Sequence, residues 1–121
     1  MPSQETMKAA MQAYIEAFNS GSAEAVVALY AENATVEDPV GSPVKQGNEQ
    51  IRAFYAHSIA TGAQLSLDAP VRGSHANAAA MAFSARIGPL TVRVIDVMTF
   101  DEAGKFTSMK AYFGPGDLIQ G

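Results

Sequence analysis

Three residues of this chain combine a reactive side chain with an inward-pointing position: Tyr14, Asp38 and Asp96. The most informative is Asp96, within the segment LTVRVIDVMTF. Val92, Val94, Asp96, Met98 and Phe100 share one parity, and Thr91, Arg93, Ile95, Val97 and Thr99 share the other. Successive side chains of a strand point to opposite faces, so Asp96 stands in the more apolar row. Desolvation raises a buried carboxyl's pKa by up to roughly 3–5 units, or about 4–7 kcal/mol. Unless a cation neutralises it, Asp96 is expected to be protonated at neutral pH and able to donate a hydrogen bond. Across the following turn it faces either Lys110 or the apolar row of Met109, Ala111 and Phe113. A slip of one residue exchanges the two.

Asp38 ends a short alternating segment in the parity of Ala34 and Val36, just before Pro39. Glu37 should point the other way, as a solvated surface charge. The residue before a proline is biased to an extended backbone, which would hold Asp38 at a pocket rim. A carboxylate there, free to ionise, has the chemistry of a general base. The same Asp-Pro pair is also an ordinary loop starter. Tyr14 lies on the apolar stripe of a first helix, which carries its phenol into the core, where a buried hydroxyl needs a partner. Tyr30 and Tyr55 fall on the inward stripes of a second and third helix. Three inward phenols form either one hydrogen-bonded chain or three separately satisfied core tyrosines. His57 falls on the outer side of the third helix and His75 in a Ser-His-Ala-Asn turn. Neither has the spacing of a metal site.

The elements that must position these groups follow from apolar spacing. Met7, Ala10, Met11, Tyr14, Ile15 and Phe18 step by three and four, as one face of a helix does. Ser3 caps its start, and Asn19-Ser20-Gly21 stops it. Ser22 caps a shorter helix carrying Val26, Val27, Leu29 and Tyr30. A third opens at Gly47-Asn48, carries Ile51, Phe54, Tyr55, Ser58 and Ile59, and ends before Gly62. From Gln64 onward the pattern is extended, over 64–68, 70–75, 77–87, 90–100 and 106–113, with a tight connection at 101–105. Gly114-Pro115-Gly116 reads as a tail turn. Helices first and a strand meander afterwards predict a single α+β domain over 1–121, with three N-terminal helices on one face of a bent antiparallel sheet.

Composition narrows the function. A net charge of −4 with scattered Lys and Arg argues against a nucleic-acid surface. No apolar run approaches the roughly 20 residues that span a bilayer. The N-terminus has neither the charged nor the apolar region of an export signal, so the Asn33-Ala34-Thr35 sequon is expected to be idle. The chain has no cysteine, hence no disulfide, thiolate nucleophile or zinc–thiolate site. A cytoplasmic address is the expectation.

Tyr14 in the first helix, Asp38 within ATVEDPVG and Asp96 within VIDVMTF together resemble the bacterial ketosteroid isomerases. The resemblance runs from about Met7 to Phe113 and includes GNEQIRAFYAHS and MKAYFG. It implies the cone-shaped fold of the nuclear transport factor 2-like superfamily, and a homodimer made through the exposed sheet face. It also implies that Asp38 is the base that shifts a proton beside a ketone, with Tyr14 and a neutral Asp96 as the oxyanion hole. Tyr55 and then Tyr30 would donate in sequence toward Tyr14. The steroid body would lie against Phe18, Val40, Phe54, Met81, Phe83, Met109 and Phe113, and no cofactor or metal would be needed. Val40 and Phe113 stand where the family can carry larger aromatic groups, which leaves the preferred steroid open. The resemblance turns Lys110 outward.

The architecture also hosts polyketide cyclases and dehydratases, and it would suit a carrier of apolar ligands. Dehydratases of the superfamily rely on a pocket histidine, for which neither His57 nor His75 looks placed. A carrier needs the apolar pocket but not two carboxyls and a phenol converging in it.

Overall fold

A computed structural model describes all of residues 1–121. Helix α1 spans Gln4–Asn19, and its first turn is held by Ser3, whose hydroxyl accepts from the Thr6 amide. The stripe read from the sequence faces inward: Met7, Met11, Tyr14, Ile15 and Phe18 are buried. Helix α2 is a single turn and a half, Ala23–Val27, with Ser22 accepting from the Ala25 amide. Helix α3 covers Gly47–Ala60 and buries Ile51 and Tyr55, four residues apart on one face.

The strands are β1 (Tyr30–Glu37), β2 (Lys45–Gln46), β3 (Gln64–Leu67), β4 (Ala78–Ile87), β5 (Leu90–Phe100), β6 (Phe106–Tyr112) and β7 (Leu118–Gln120). They form one sheet in the order β2-β1-β6-β5-β4-β3, with β7 also paired to β5. Strand β4 covers one edge of β5 along its length, so β6 and β7 share the other edge, at Ile95–Phe100 and Leu90–Val92. The buried faces of helices and sheet make one continuous core. Asn19 ties the end of α1 to β3, donating to the Leu65 carbonyl and accepting from its amide, both at 2.8 Å. No helix is long and apolar enough to cross a membrane.

Four expectations require correction. The sheet is mixed, because β1 runs parallel to β6. Alternation reports which face a side chain takes and is silent on the direction of its partner. Tyr30 is the first residue of β1, and α2 has already ended at Val27. A register shift between Tyr30 and Thr35 hides the alternation that would have extended the strand back to it. Residues 70–75 are no strand and keep only an Arg72–Ala80 bridge. Pro70 has no N–H to give, and the Ser74 hydroxyl turns the chain by bonding to Ala76 and Ala78. Finally, the turn at Pro115–Asp117 leads into the short strand β7, whose three exposed residues carry no burial pattern to reveal it.

Candidate active site

Asp96 is 1% exposed, and both its carboxyl oxygens lack a hydrogen-bond partner. Its neighbours in the same row are Val94 and Met98 along β5, Met81 across in β4 and Ala111 across in β6, all buried. The register therefore resolves the sequence ambiguity: Lys110 lies opposite Val97, on the other face. The two ion pairs of the chain, Met1–Glu102 and Arg52–Glu24, involve other residues. Burial first, and then the Asp38 carboxylate, raise the Asp96 carboxyl well above the usual carboxylate range. A neutral carboxylic acid with a free O–H is the consistent state of such a group.

Asp38 follows β1 and is half-buried, continuing inward from Ala34 and Val36. Burial pushes its carboxyl up to about 6. It ionises near neutrality, as a general base should. Glu37 points away and accepts from the Gly41 amide. The two carboxyls thus differ in state through environment alone.

The three tyrosines do form one chain. Tyr30 and Tyr55 share a hydrogen bond of 2.6 Å, and Tyr55 and Tyr14 one of 3.0 Å. Burial is the largest cause raising all three phenols well above the ordinary value. Tyr14 lies within electrostatic reach of Asp96 and, more weakly, of Asp38, so the phenol and both carboxyls share one neighbourhood.

A cavity of about 200 Å³ opens beside this cluster. Tyr14, Asp38 and Tyr55 line it, with Phe18, Phe54, Phe83 and Phe113 from the expected apolar set. Three other expected contacts lie elsewhere. Met81 and Met109 share the inward parity but sit at 2% and 1% exposure in the closed part of the core. Val40 is 40% exposed and joins Ile95 and Tyr112 along a separate groove. Asp96 itself does not line the cavity, whereas Val94, next in its row, does. The cavity also holds residues that the sequence reading missed. His57 is solvated as expected, yet it lines the cavity with Ser58 and Thr61. Phe54, Ser58 and Thr61 follow one another at helical spacing, the signal that could have placed this wall.

The SnoaL-like domain model matches residues 11–109. Over 119 residues the chain is 40% identical to a steroid Δ-isomerase of Nocardioides simplex, covering 93% of this chain and 94% of that protein. Among solved structures, the epoxide hydrolase/cyclase-like enzyme SalBIII, described in pyran ring formation in the polyether salinomycin, overlays with a TM-score of 0.92. It is 25% identical, with all of both chains covered. A buried unpaired carboxyl, a half-buried second one and a phenol chain beside an apolar cavity thus occur on a chain that belongs to the SnoaL-like family and has a steroid Δ-isomerase as a near relative.

Proposed function

We propose that this protein is a steroid Δ-isomerase, which converts 3-oxo-Δ5-steroids to the conjugated 3-oxo-Δ4 isomers without a cofactor. The observation that carries the reading is the divergence of two neighbouring carboxyls, Asp38 ionising at about 6 and Asp96 buried, unpaired and neutral. Environments that push two acids apart supply a base and a hydrogen-bond donor in one site.

The Asp38 carboxylate takes the proton from the carbon between the ketone and the double bond. The released electron pair shifts through the conjugated system onto the ketone oxygen, giving a dienolate. Tyr14 and Asp96 donate to that oxygen, in a site from which water is excluded, where such donors count most. Asp38 then returns the same proton to the far carbon of the former double bond, so no proton is gained or lost. Tyr30 and Tyr55 hold the Tyr14 phenol in position. Asp96 does not line the cavity, so this reading requires lining side chains at that end to part when the ligand enters. Identity of 40% over nearly the whole chain to a steroid Δ-isomerase supports the substrate class. The same reading includes a homodimer formed on the sheet row that exposes Ile95 and Tyr112.

Likeness over the full length to a cyclase-like enzyme favours a second reading, acid–base ring closure by the same two carboxyls. One experiment separates the readings. Ultraviolet absorbance is followed after mixing protein with a 3-oxo-Δ5-steroid and no additive. Catalytic growth of the enone band in the wild type, abolished in Asp38→Asn while steroid still binds, is the expected result. Absence of growth with steroid bound would leave a carrier, and absence of binding would favour the cyclase.

A further inference from the structure

Beyond Tyr14, Asp38 and Tyr55, the cavity wall is apolar except at one place. There, at the end of α3, His57, Ser58 and Thr61 line it together. The Thr61 hydroxyl is already engaged, donating to the Ser58 carbonyl at 2.6 Å and accepting from the Ala63 amide at 3.3 Å. The His57 imidazole and the Ser58 hydroxyl make no hydrogen bond within the chain. Two polar groups without a partner in the chain, the exposed His57 and the partly buried Ser58, on an otherwise apolar wall are placed to bond a ligand.

Their place follows from topology. Asp96 pairs with Met81, while the far end of the same two strands is the hairpin that pairs Ile87 with Leu90. From Asp96 to the lining residue Val92 the strand runs roughly 13 Å. The chain leaves α3 through Gly62 directly into β3, whose Gln64 and Leu65 pair with Arg86 and Ala85 at that hairpin end. His57 and Ser58 therefore stand at the end of the cavity away from Asp96. The strand run from Asp96 to Val92 is itself comparable to the length of a fused four-ring skeleton.

We propose that His57 and Ser58 form a polar subsite for a second oxygen function, a ketone or hydroxyl, at the ring end opposite the reacting ketone. This rests on the steroid reading above and narrows it: the favoured substrate carries oxygen at both ends. A neutral imidazole offers one N–H donor, and a serine hydroxyl both donates and accepts. Together they serve a carbonyl or an alcohol. Apolar walls discriminate weakly between such substrates, whereas a site built to hydrogen-bond an oxygen loses that bond with an analogue lacking it.

The test compares androst-5-ene-3,17-dione with androst-5-en-3-one as substrates. Calorimetric binding of the corresponding Δ4 products serves as a readout independent of turnover. The wild type is expected to favour the dioxygenated steroid roughly 3- to 10-fold in KM and Kd, the range of one ordinary hydrogen bond. His57→Ala and Ser58→Ala narrow that preference, the loss falling on KM for the dioxygenated steroid, and His57→Gln restores part of it. Turnover of both steroids with no preference, or an equal effect of His57→Ala on both, overturns the subsite alone. Preferential binding without turnover overturns the isomerase reading and leaves the subsite standing. Failure to bind either steroid overturns both.

Discussion

Ala111 lies directly opposite Asp96 across the β5–β6 ladder, and no cation takes that place. A methyl group in that position leaves the carboxyl with apolar cross-strand neighbours, Met81 and Ala111, and its two oxygens unpaired. Such a group is costly to the fold unless a ligand supplies its partner, and here the cost falls on the residue assigned to hold the ketone oxygen.

Asp96→Val should therefore separate stability from activity. Valine suits a strand and removes the unpaired polar atoms. The fold should gain about 1–3 kcal/mol, the usual penalty of an unsatisfied buried polar group. Under the proposed function the same change deletes an oxyanion donor, so turnover should fall on the order of 100- to 1,000-fold. Chemical denaturation and enone absorbance on one preparation check both. A variant that is less stable and fully active would refute the assignment.

The pH dependence of stability carries the same signature. Both Asp38 and Asp96 have carboxyls raised by burial, so the folded chain holds protons that the unfolded chain has released. Stability is then fullest below the unfolded carboxylate value of about 4 and declines as pH rises toward the folded values. Each group contributes a slope of about 1.4 kcal/mol per pH unit. Asp38 stops contributing near 6, while Asp96 continues above it. Denaturant midpoints measured from pH 4 to 8 should fall in the wild type, and fall less steeply in Asp96→Val.

How much of this could be read from the sequence varied with the kind of interaction involved. The stripe of α1, the Ser3 and Ser22 caps, and the inward row of Asp96 rest on local periodicity, and periodicity is written in the chain. Lys110 could not be placed by the same means, because turn register is a property of two strands at once. The place of Tyr30 on β1 escapes periodicity for a related reason: the bulge between it and Thr35 breaks alternation where β1 begins. The parallel pairing of β1 with β6 joins segments some seventy residues apart and leaves no local trace. At the site, parity identifies inward residues but not depth, and the resemblance supplies no depth either. Neither separates the closed-core Met81 and Met109 from the phenylalanines that reach the cavity. Spacing puts His57 on the outer side of α3, yet the end of that helix reaches the cavity and His57 lines it.

The rate profile tests Asp38 separately. A base must be ionised to act, and burial sets this carboxyl at about 6. The value of kcat/KM should be level above that pH and fall about tenfold per pH unit below it, reporting the free enzyme. Asp38→Glu should move the break, and Asp38→Asn should remove most of the activity at every pH. A profile level down to pH 4 would mean that another group takes the proton.

Tyr55 stands between two hydroxyls, 3.0 Å from Tyr14 and 2.6 Å from Tyr30. That central position makes the three tyrosines unequal. Tyr30→Phe leaves the Tyr14–Tyr55 bond intact and removes one terminal hydroxyl, a loss of about 0.5–1.5 kcal/mol. Tyr55→Phe orphans a buried hydroxyl on each side, so it should cost more, about 2–4 kcal/mol. Removing Tyr30 as well deletes one of the orphans, so the double variant should be less destabilised than the sum of the two singles. Activity should follow a different order. Tyr14→Phe removes the proposed donor to the reacting oxygen and should reduce kcat most. Tyr55→Phe acts by releasing Tyr14 and should lower kcat less, with KM nearly unchanged. Denaturation of the four variants and steady-state kinetics on the same samples decide the matter. Additive energies would show three independent core tyrosines, and a coupling near 1 kcal/mol or more would show a chain acting as a unit.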